Sequence, residues 1–498
     1  MCEISAHKIY KPNNMSQSRT VKAGILASGT FLTTCVSLIS AVVLARVLSM
    51  YDYATYKQTL LVYAFVSPLL MLGLPDALYY FLPGENKRPR SLLIENLLLL
   101  GFMAGLFSLF LLFGGNRLLA WRFKNPDLAR MLLILAPYPL FMLPVSGLSA
   151  CLIARNRVKQ VAVFNVLSRL FMLATVLTAI MISRTPAAAI VGTVVATGIV
   201  FFPALKLMFA ACNLGSWLPS TNSMWSQLKY AVPLGLAVMI GTISKSLDKM
   251  IVSSMCSPEQ FAVYVNGAIE IPLIGILTGS VIAILIPDLV KLYKAAQYQE
   301  LMELWHRAMV KCALLIFPIM IFLFVMAPEV MRILFSVKYE NSAVPFRVYL
   351  LLLPIRITTF GAVFMAAGKN TLILYRVIVG LALNLVLSII LVKLVGAIGA
   401  AVATVIAIYV WNIPYCLFFI GKILHTGVFR IFPYQRLANI LLIAVLPSVI
   451  LVAGLVWDVS DIVKVITLGS LYSLAIILLY GWRKWVRLQE WRFKWGQI

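Results

Sequence analysis

The sequence predicts an all-α integral membrane protein with about 14 transmembrane helices, arranged as two pseudo-symmetric six-helix bundles plus two extra helices. Three observations predict this fold. Hydrophobic residues make up 62% of the 498 residues and charged residues only 12%, and the mean hydropathy is +0.96. Long apolar runs follow one another with short connections, which leaves no polar stretch for a soluble domain. The order of runs and loops also repeats after 212 residues, as the pair Pro75 and Pro287 illustrates.

Each apolar run is long enough to cross a bilayer, because a hydrocarbon core of about 30 Å needs about 20 apolar residues in a helix. The runs predict helices over 23–48, 57–81, 91–113, 130–153, 158–182, 187–210, 230–255, 261–290, 307–327, 346–367, 371–394, 398–424, 436–457 and 462–482.

These helices divide the chain into five predicted parts. They are a cytoplasmic N-terminal tail (1–22), an N-terminal six-helix bundle (23–210), a C-terminal six-helix bundle (230–424), two additional helices (436–482) and a basic, aromatic cytoplasmic tail (483–498). We call the two bundles the N-terminal half and the C-terminal half. Because each has an even number of helices, both have the same orientation. Repeats of this kind have a pseudo-symmetry axis along the membrane normal and a substrate site between them.

The net charge of +25 is spread unevenly over the predicted loops. Lys and Arg concentrate on the side that also carries both termini, which is the pattern of cytoplasmic loops. Both termini are therefore predicted to be cytoplasmic. The segment from Trp482 to Trp495 mixes Trp with Lys and Arg, which favours contact with anionic lipids at the inner membrane surface. The distribution indicates a membrane partner and no nucleic acid.

Three short segments resemble a known family. They are Leu44-Ala45-Arg46-Val47-Leu48-Ser49 with Asp52-Tyr53-Ala54 and Tyr56; Asp248-Lys249 with Ser257-Pro258-Glu259 and Tyr264; and Gly396-Ala397-Ile398-Gly399-Ala400-Ala401-Val402-Ala403-Thr404. They are similar to segments of polysaccharide-exporting flippases (the O-antigen or lipid-linked oligosaccharide type), which belong to the multidrug/oligosaccharidyl-lipid/polysaccharide superfamily. The resemblance covers residues 20 to about 424. It implies transport of lipid-linked sugars across the bacterial cytoplasmic (inner) membrane.

Charged residues inside the predicted helices are the candidates for function, because a charge at a helix centre costs about 2.5–3.5 kcal/mol on insertion scales. Such a residue is expected to face water or a partner. The candidates for a cationic, substrate-binding cavity are Arg169, Lys245, Lys249 and Arg356. The candidates for coupling or for ion pairs are Asp248, Glu270, Asp76 and Asp288. Arg376 lies near a helix end and is expected to extend to the membrane surface.

The predicted seventh helix carries the densest group of charges. Lys245, Asp248 and Lys249 are spaced i, i+3, i+4 and share one helix face. The hairpin with the next helix places Lys245 level with Glu270, so a structural ion pair is the alternative to a functional role. Asp76 and Asp288 each follow a proline near an inner helix end, where an interfacial position is the alternative.

The deep bases outnumber the deep acids. This excess predicts a cationic, hydrated chamber between the two halves. Such a chamber would attract a pyrophosphate, because Arg offers a planar fork to phosphate oxygens and Lys a point charge.

The sequence lacks the motifs of the common membrane enzymes. It contains no Gly-Lys-Ser/Thr P-loop, no G-x-S-x-G and no H-E-x-x-H. The 7 cysteines and 3 histidines show no metal-ligand spacing. We therefore expect neither an enzyme, nor a cofactor, nor a metal.

The function predicted from these observations and the resemblance is a flippase for an undecaprenyl-pyrophosphate-linked oligosaccharide, working by alternating access in surface polysaccharide biosynthesis. Lipid-linked oligosaccharide and anionic lipids are the expected partners, together with polysaccharide polymerase or assembly proteins. Three alternatives stay open: a peptidoglycan-precursor flippase, a multidrug antiporter of the same superfamily, and a non-transporting scaffold of a polysaccharide-assembly complex.

Overall fold

The computed structural model describes residues 19–269 and 271–482 of the chain, without the side chains at 19–23, 237, 272, 273, 276, 283 and 482. The C-terminal tail (483–498), residues 1–18 of the N-terminal tail and Glu270 lie outside the described residues, and so do the predictions made for them. Within the described ranges every regular element is helical, which confirms the all-α fold class.

The first part of the chain forms α1 (Arg19–Val47), α2 (Met50–Met71), α3 (Leu74–Phe81), α4 (Pro89–Phe110), α5 (Asn116–Arg122), α6 (Asp127–Leu135), α7 (Tyr138–Val145), α8 (Leu148–Ala154), α9 (Val158–Ile182) and α10 (Pro186–Ala211). A π-helical turn, Leu111–Gly115, joins α4 to α5.

The second part forms α11 (Thr221–Met255), α12 (Pro258–Gly267), α13 (Pro272–Lys294), α14 (Tyr298–Val325), α15 (Ala327–Phe335), α16 (Ala343–Leu350), α17 (Leu353–Arg356), α18 (Phe360–Ala366), α19 (Asn370–Val395), α20 (Ile398–Ile406) and α21 (Ile413–Ile423). A 3-10 helix, Val337–Ser342, precedes α16, and a π-helix, Ala407–Asn412, joins α20 to α21. A 3-10 turn, Val428–Arg430, then leads to α22 (Tyr434–Val445), α23 (Ser448–Gly454) and α24 (Asp461–Trp482).

The predicted number of 14 membrane spans is not confirmed. In the described part of the chain, 9 helical segments are long and apolar enough to cross a membrane, and 4 bent pairs raise the number to as many as 13. The predicted helix over 261–290 is not among them. It is divided into α12 and α13, which Pro272 separates by starting a new helix.

Several predicted helices are bent where proline or glycine interrupts the backbone hydrogen bonds. In α2, Pro68 lacks the N–H that would continue the helix. The chain then turns by 41° into α3 through Leu72 and Gly73, both with positive φ. One predicted helix over 57–81 is therefore two helices that meet at an angle.

At this bend the N-terminal half touches α11 very closely. A Cβ added to Gly73 would lie 2.5 Å from the carbonyl oxygen of Ala231, and one added to Gly235 would lie 2.2 Å from the carbonyl carbon of Leu72. Both positions require glycine, because any side chain would overlap the backbone of the other helix. The bend between α2 and α3 is thus one fixed contact between the two halves.

Polar contacts join the halves at the other end of α2. The Tyr53 hydroxyl donates a hydrogen bond to Asn266 Oδ1 of α12 at 2.8 Å. Lys338 Nζ donates to the carbonyl oxygen of Leu48 at 2.5 Å. The halves therefore meet at both ends of α2, and the seam between α2 and α11 lies between these contacts.

The last helices pack on the C-terminal half. Two guanidinium nitrogens of Arg332 each donate to one oxygen of Asp461, at 2.8 Å in both cases. One large apolar core includes Ala54 of α2, Phe261 of α12 and Leu468 of α24, all buried. This core connects both halves and the additional helices.

Candidate functional site

Asp248 lies on the part of α11 that follows its 40° bend, and it points into the C-terminal half. Its carboxylate is 3% exposed. The Tyr264 hydroxyl of α12 donates a hydrogen bond to Asp248 Oδ2 at 2.7 Å, and the Tyr349 hydroxyl of α16 donates to the same oxygen. Two tyrosines therefore satisfy this acid, and no ion pair joins it to a lysine among the described residues.

The two lysines of the same helix face lie elsewhere. Lys245 is exposed and Lys249 is half-buried. Lys249 lies on α11, and this helix packs against α2, which carries Lys57. Lys57 is itself half-buried, with its Nζ 5.3 Å from the centre of the Tyr53 ring. Lys57 and Lys249 thus lie on the two helices that form the seam.

Arg169 lines a cavity of about 310 Å³. All its described lining residues belong to the N-terminal half, and Arg169 itself is exposed. They are Thr33, Phe141, Met142, Val145, Ser146, Leu148, Ser149, Phe164, Asn165, Ser168, Arg169, Met172, Thr197, Val200 and Phe201. The walls of the cavity include residues of α7 and α10, which both pack against α2.

Arg356 lines a second, much smaller cavity of about 40 Å³ in the C-terminal half, together with Tyr349. The two arginines therefore belong to separate cavities. Through Tyr349, the Arg356 cavity adjoins the site of Asp248. The expectation that Lys245 lies level with Glu270 concerns a residue outside the described part of the chain.

The remaining two acids are closer to helix ends. Asp76 is half-buried in the first turn of α3, after the bend that follows α2. Asp288 lies near the C-terminal end of α13 and pairs with Lys291 at 3.6 Å, with the lysine side chain largely exposed. Neither carboxylate lies in the two cavities described above.

The structure reveals a buried acid, Glu95 of α4, that the sequence did not single out. It is fully buried. Its oxygens accept hydrogen bonds from the backbone N–H of Ser220 at 2.9 Å, from Gln227 Nε2 at 2.9 Å and from the Ser223 hydroxyl. Glu95 therefore fastens the start of α11 to the N-terminal half.

Lys57 was missed for a different reason, which is the position of a helix start. The polar residues near it lower the local hydropathy, so the second helix was predicted to begin at Lys57 itself. The structure begins α2 at Met50, with Ser49 as N-cap, and the Ser49 hydroxyl accepts a hydrogen bond from the Asp52 N–H at 3.0 Å. The Ser-x-x-Asp pattern is a helix-start signal that would have placed Lys57 two turns inside the helix.

The arrangement offers cations to an anionic ligand but no obvious metal centre. Among the described residues, no group of three or more His, Cys, Asp or Glu is placed to hold a metal ion. Lys57, Lys245, Lys249 and Arg169 take part in none of the ion pairs between described residues.

A family model described as "polysaccharide biosynthesis protein" matches residues 43–344, which is more than half of the chain. No curated protein sequence matches the chain.

Solved structures share the fold at low identity. The lipid II flippase MurJ in an inward closed conformation matches with a TM-score of 0.74 and 16% identity, over 93% of this chain and 100% of its own. A multidrug resistance MATE family transporter of the MOP superfamily, in an inward-facing conformation, matches with a TM-score of 0.64 and 14% identity, over 79% of this chain and 96% of its own. A MOP superfamily transporter from Pyrococcus furiosus matches with a TM-score of 0.56 and 15% identity, over 82% of this chain and 96% of its own. Reverse polarity of the binding pocket suggests a different function for that transporter.

Proposed function

Because the chain belongs to the polysaccharide biosynthesis protein family, within the multidrug/oligosaccharidyl-lipid/polysaccharide (MOP) superfamily, we propose that it is a flippase. Its substrate would be an undecaprenyl-pyrophosphate-linked oligosaccharide, which it moves from the inner to the outer leaflet of the bacterial cytoplasmic membrane. The movement would occur by alternating access between two pseudo-symmetric halves, 23–210 and 230–424, in surface polysaccharide biosynthesis.

The observation that carries this proposal is the set of lysines at the seam. Lys57 lies on α2 and Lys249 on α11, two helices of different halves that pack against each other, and no ion pair among the described residues neutralises these lysines. Keeping such charges inside membrane helices is costly. A bound pyrophosphate would offset this free-energy cost by bridging the two cations, since phosphate oxygens accept strong, charge-assisted hydrogen bonds from Lys.

A ligand that bridges the two halves also suits alternating access. Lys245 and Lys249 lie on α11 and Lys57 on α2, so the pyrophosphate would touch a surface on each side of the seam. Arg169 and Arg356, in their separate cavities, are the candidate forked donors to other anionic parts of the headgroup. The polyprenyl tail would stay in the bilayer, while the sugars would pass between the halves.

Coupling to an energy source is assigned to the acids. Asp248 and Glu270 are the proposed coupling residues for an ion gradient, unless removal of substrate at the outer surface supplies the driving force. Asp76 and Asp288 are retained as weaker candidates. The chain would act as a transporter and not as an enzyme, with both termini cytoplasmic. Its expected partners are anionic lipids and the polymerase or assembly proteins of the polysaccharide.

The test combines depletion in cells with single substitutions. When the protein is depleted, we expect a lipid-linked oligosaccharide to accumulate on the cytoplasmic leaflet, measured by lipid extraction and mass spectrometry. Lys57→Gln and Lys249→Gln should each slow flipping of a fluorescent lipid-linked sugar in reconstituted vesicles by at least about tenfold, as the loss of a charge-assisted contact predicts. The matched control is Lys393→Gln, since Lys393 is exposed near the end of α19.

Three outcomes would contradict the proposal, one for each alternative. Accumulation of a peptidoglycan precursor would identify the other type of flippase. Efflux of cationic drugs that depends on the chain would indicate an antiporter. Unchanged polymer output after neutralisation of Lys57, Arg169, Lys245 and Arg356 would favour a scaffold.

A further inference from the structure

We propose that the Arg169 cavity binds a single sugar residue that carries an oxyanion at one end, with the guanidinium on the oxyanion and the neighbouring polar groups on the hydroxyls. This inference rests on the proposed function and adds a site inside one half to the phosphate site at the seam.

One face of α9 supplies the polar side of the cavity. Asn165, Ser168 and Arg169 are spaced i, i+3, i+4, so they lie side by side, and all three line the cavity. The polar contact recorded for Arg169 with another described residue is Met172 Sδ at 3.9 Å, and a thioether is a weak acceptor. The guanidinium therefore keeps its hydrogen-bonding capacity for an anion.

The hydroxyls of the cavity act as acceptors. Ser168 Oγ donates its hydrogen to the Asn165 carbonyl at 3.1 Å, and Thr197 Oγ1 donates to the Thr193 carbonyl at 2.8 Å. Ser146 Oγ does the same with Leu143 at 2.5 Å. Each hydroxyl has used its only donor on its own helix and retains lone pairs. Hydroxyl groups of a sugar could donate to these oxygens.

The cavity also offers hydrogen-bond donors and apolar surface to a sugar. The Asn165 amide can donate to sugar oxygens and accept from sugar hydroxyls. Phe141 and Phe201 pack edge to face with their ring centres 5.6 Å apart, and Phe164 lies on the same lining. These rings offer apolar faces to the C–H side of a sugar ring. A lining with mixed donors, acceptors and aromatic rings suits a sugar better than a lipid chain.

The volume and the charge of the cavity restrict the type of ligand further. The volume of about 310 Å³ is at the lower end of the range of about 300–1,000 Å³ for ligand pockets, which suits one sugar residue and not an oligosaccharide. The described lining residues include Arg169 but no Asp or Glu, so a cationic ligand would be repelled.

The position of the cavity relates it to the seam. The cavity walls include residues of α7 and α10, and both helices pack against α2, which carries Lys57. A sugar in the cavity would therefore lie beside the helix that holds one of the proposed phosphate contacts. Its oxyanion could be a carboxylate of the sugar or the phosphate to which the sugar is attached. The two sources share the same chemistry at Arg169.

Ligand-observed NMR on the full chain in lipid nanodiscs tests the proposal without transport. The probes are methyl glucuronide, glucose 1-phosphate and neutral methyl glucoside. We expect at least one anionic probe to bind about tenfold more tightly than methyl glucoside. Binding of the glucuronide alone would identify a sugar carboxylate, and binding of the phosphate alone would identify the phosphate-linked end.

Two variants and one control locate the site. Arg169→Gln should remove the preference for the anionic probe, and Arg169→Lys should keep part of it, because Lys retains the charge but not the fork. Arg184→Gln, at an exposed position between α9 and α10, should change nothing. If Arg169→Gln does not fold, the preference for the anionic probe is compared between Arg169→Lys and the control Arg184→Gln. A weaker preference in Arg169→Lys then supports the site.

Two results would overturn the proposal. One is equal affinity for anionic and neutral probes. The other is full anionic preference in the Arg169 variants. Lys57→Gln should leave binding of the glucuronide intact while it slows flipping. Failure of the sugar site and failure of the flippase function can therefore be told apart.

Discussion

Arg169 in the N-terminal half and Asp248 in the C-terminal half are both charges inside membrane helices, yet their surroundings are opposite. Arg169 faces a cavity, and its recorded polar contact is a thioether. Asp248 is buried, and two tyrosine hydroxyls satisfy it. A charge in a membrane must be compensated. Asp248 receives that compensation from side chains of its own half, whereas for Arg169 it is left to water or a ligand.

The internal repeat makes this difference sharper. With the predicted interval of 212 residues, Arg169 would correspond to Leu381 (169 + 212). The C-terminal half would then have an apolar residue where the N-terminal half has this charge.

The largest predicted effect on stability is at Asp248. In Asp248→Ala the hydroxyls of Tyr264 and Tyr349 lose their shared charged acceptor and retain the contact between them at 3.3 Å. We expect the free energy of unfolding to fall by about 3 kcal/mol, because two hydrogen bonds to a charged group are lost and each contributes about 1.5–3 kcal/mol. Denaturant titration of the chain in detergent micelles measures this loss.

The control for this change is Asp248→Asn, which keeps an acceptor oxygen and should lose only about 1 kcal/mol. Equal stability of wild type and Asp248→Ala would mean that the tyrosines do not depend on the carboxylate. The difference between a compensated Asp248 and an uncompensated Arg169 would then be contradicted.

A smaller effect is expected from the tyrosines themselves. Tyr349→Phe removes one donor to Asp248, leaves Tyr264 in place and should cost about 1 kcal/mol of unfolding free energy. Tyr375→Phe is the control, since Tyr375 is exposed on α19. A loss as large as that of Asp248→Ala would show that Tyr349 alone satisfies the carboxylate, and equal stability of the two tyrosine variants would argue against the bond.

Much of the fold follows from the sequence, because each long helix needs only a local apolar run. The prediction of 158–182 coincides with α9 (Val158–Ile182). The bends do not follow so readily, since hydropathy averages across them. The predicted helix over 57–81 hides the turn at Leu72 and Gly73, which depends on a close contact with Gly235 far along the chain.

The candidate site can be predicted from the sequence less completely than the fold. Depth in a helix singled out Arg169 and Asp248, but depth does not tell which partner a side chain meets. The tyrosines of Asp248 come from α12 and α16, and the bonds of Glu95 reach Gln227, 132 residues away. Such pairs depend on tertiary packing. Lys57 was within reach of the sequence, because the cap at Ser49 fixes the helix start.

At Arg169 we expect almost no effect on stability. Arg169→Leu removes a charge that no described acid compensates, so the free energy of unfolding should stay within about 0.5 kcal/mol of wild type or rise. Flipping of a lipid-linked sugar in vesicles should nevertheless fall, because the guanidinium is the proposed ligand contact. Stability falling as far as in Asp248→Ala, measured by the same titration, would show that the residue is structural. The contrast with Asp248 would then be lost.

The smallest effect is expected for a carboxylate at the surface, which gives the baseline for both halves. Glu85, in the loop after α3, accepts hydrogen bonds from the N–H groups of Arg88 and Lys87 at 2.9 and 2.8 Å. These bonds, led by that of Arg88, lower the pKa of Glu85. A lowered folded-state pKa stabilises the fold above the unfolded pKa of about 4.3, and this contribution disappears as the pH falls through the folded-state value.

We therefore expect Glu85→Gln to lower the free energy of unfolding by no more than a few tenths of a kcal/mol at pH 7, because solvent screens this group. The difference from wild type should persist down to about pH 4.3 and vanish only as the pH falls through the lower, folded-state pKa. A constant difference at all pH values would show that the side chain acts by shape and not by charge. Against this baseline, the loss of about 3 kcal/mol expected for Asp248→Ala would reflect burial among tyrosines, since Glu85 also accepts two hydrogen bonds but remains in water.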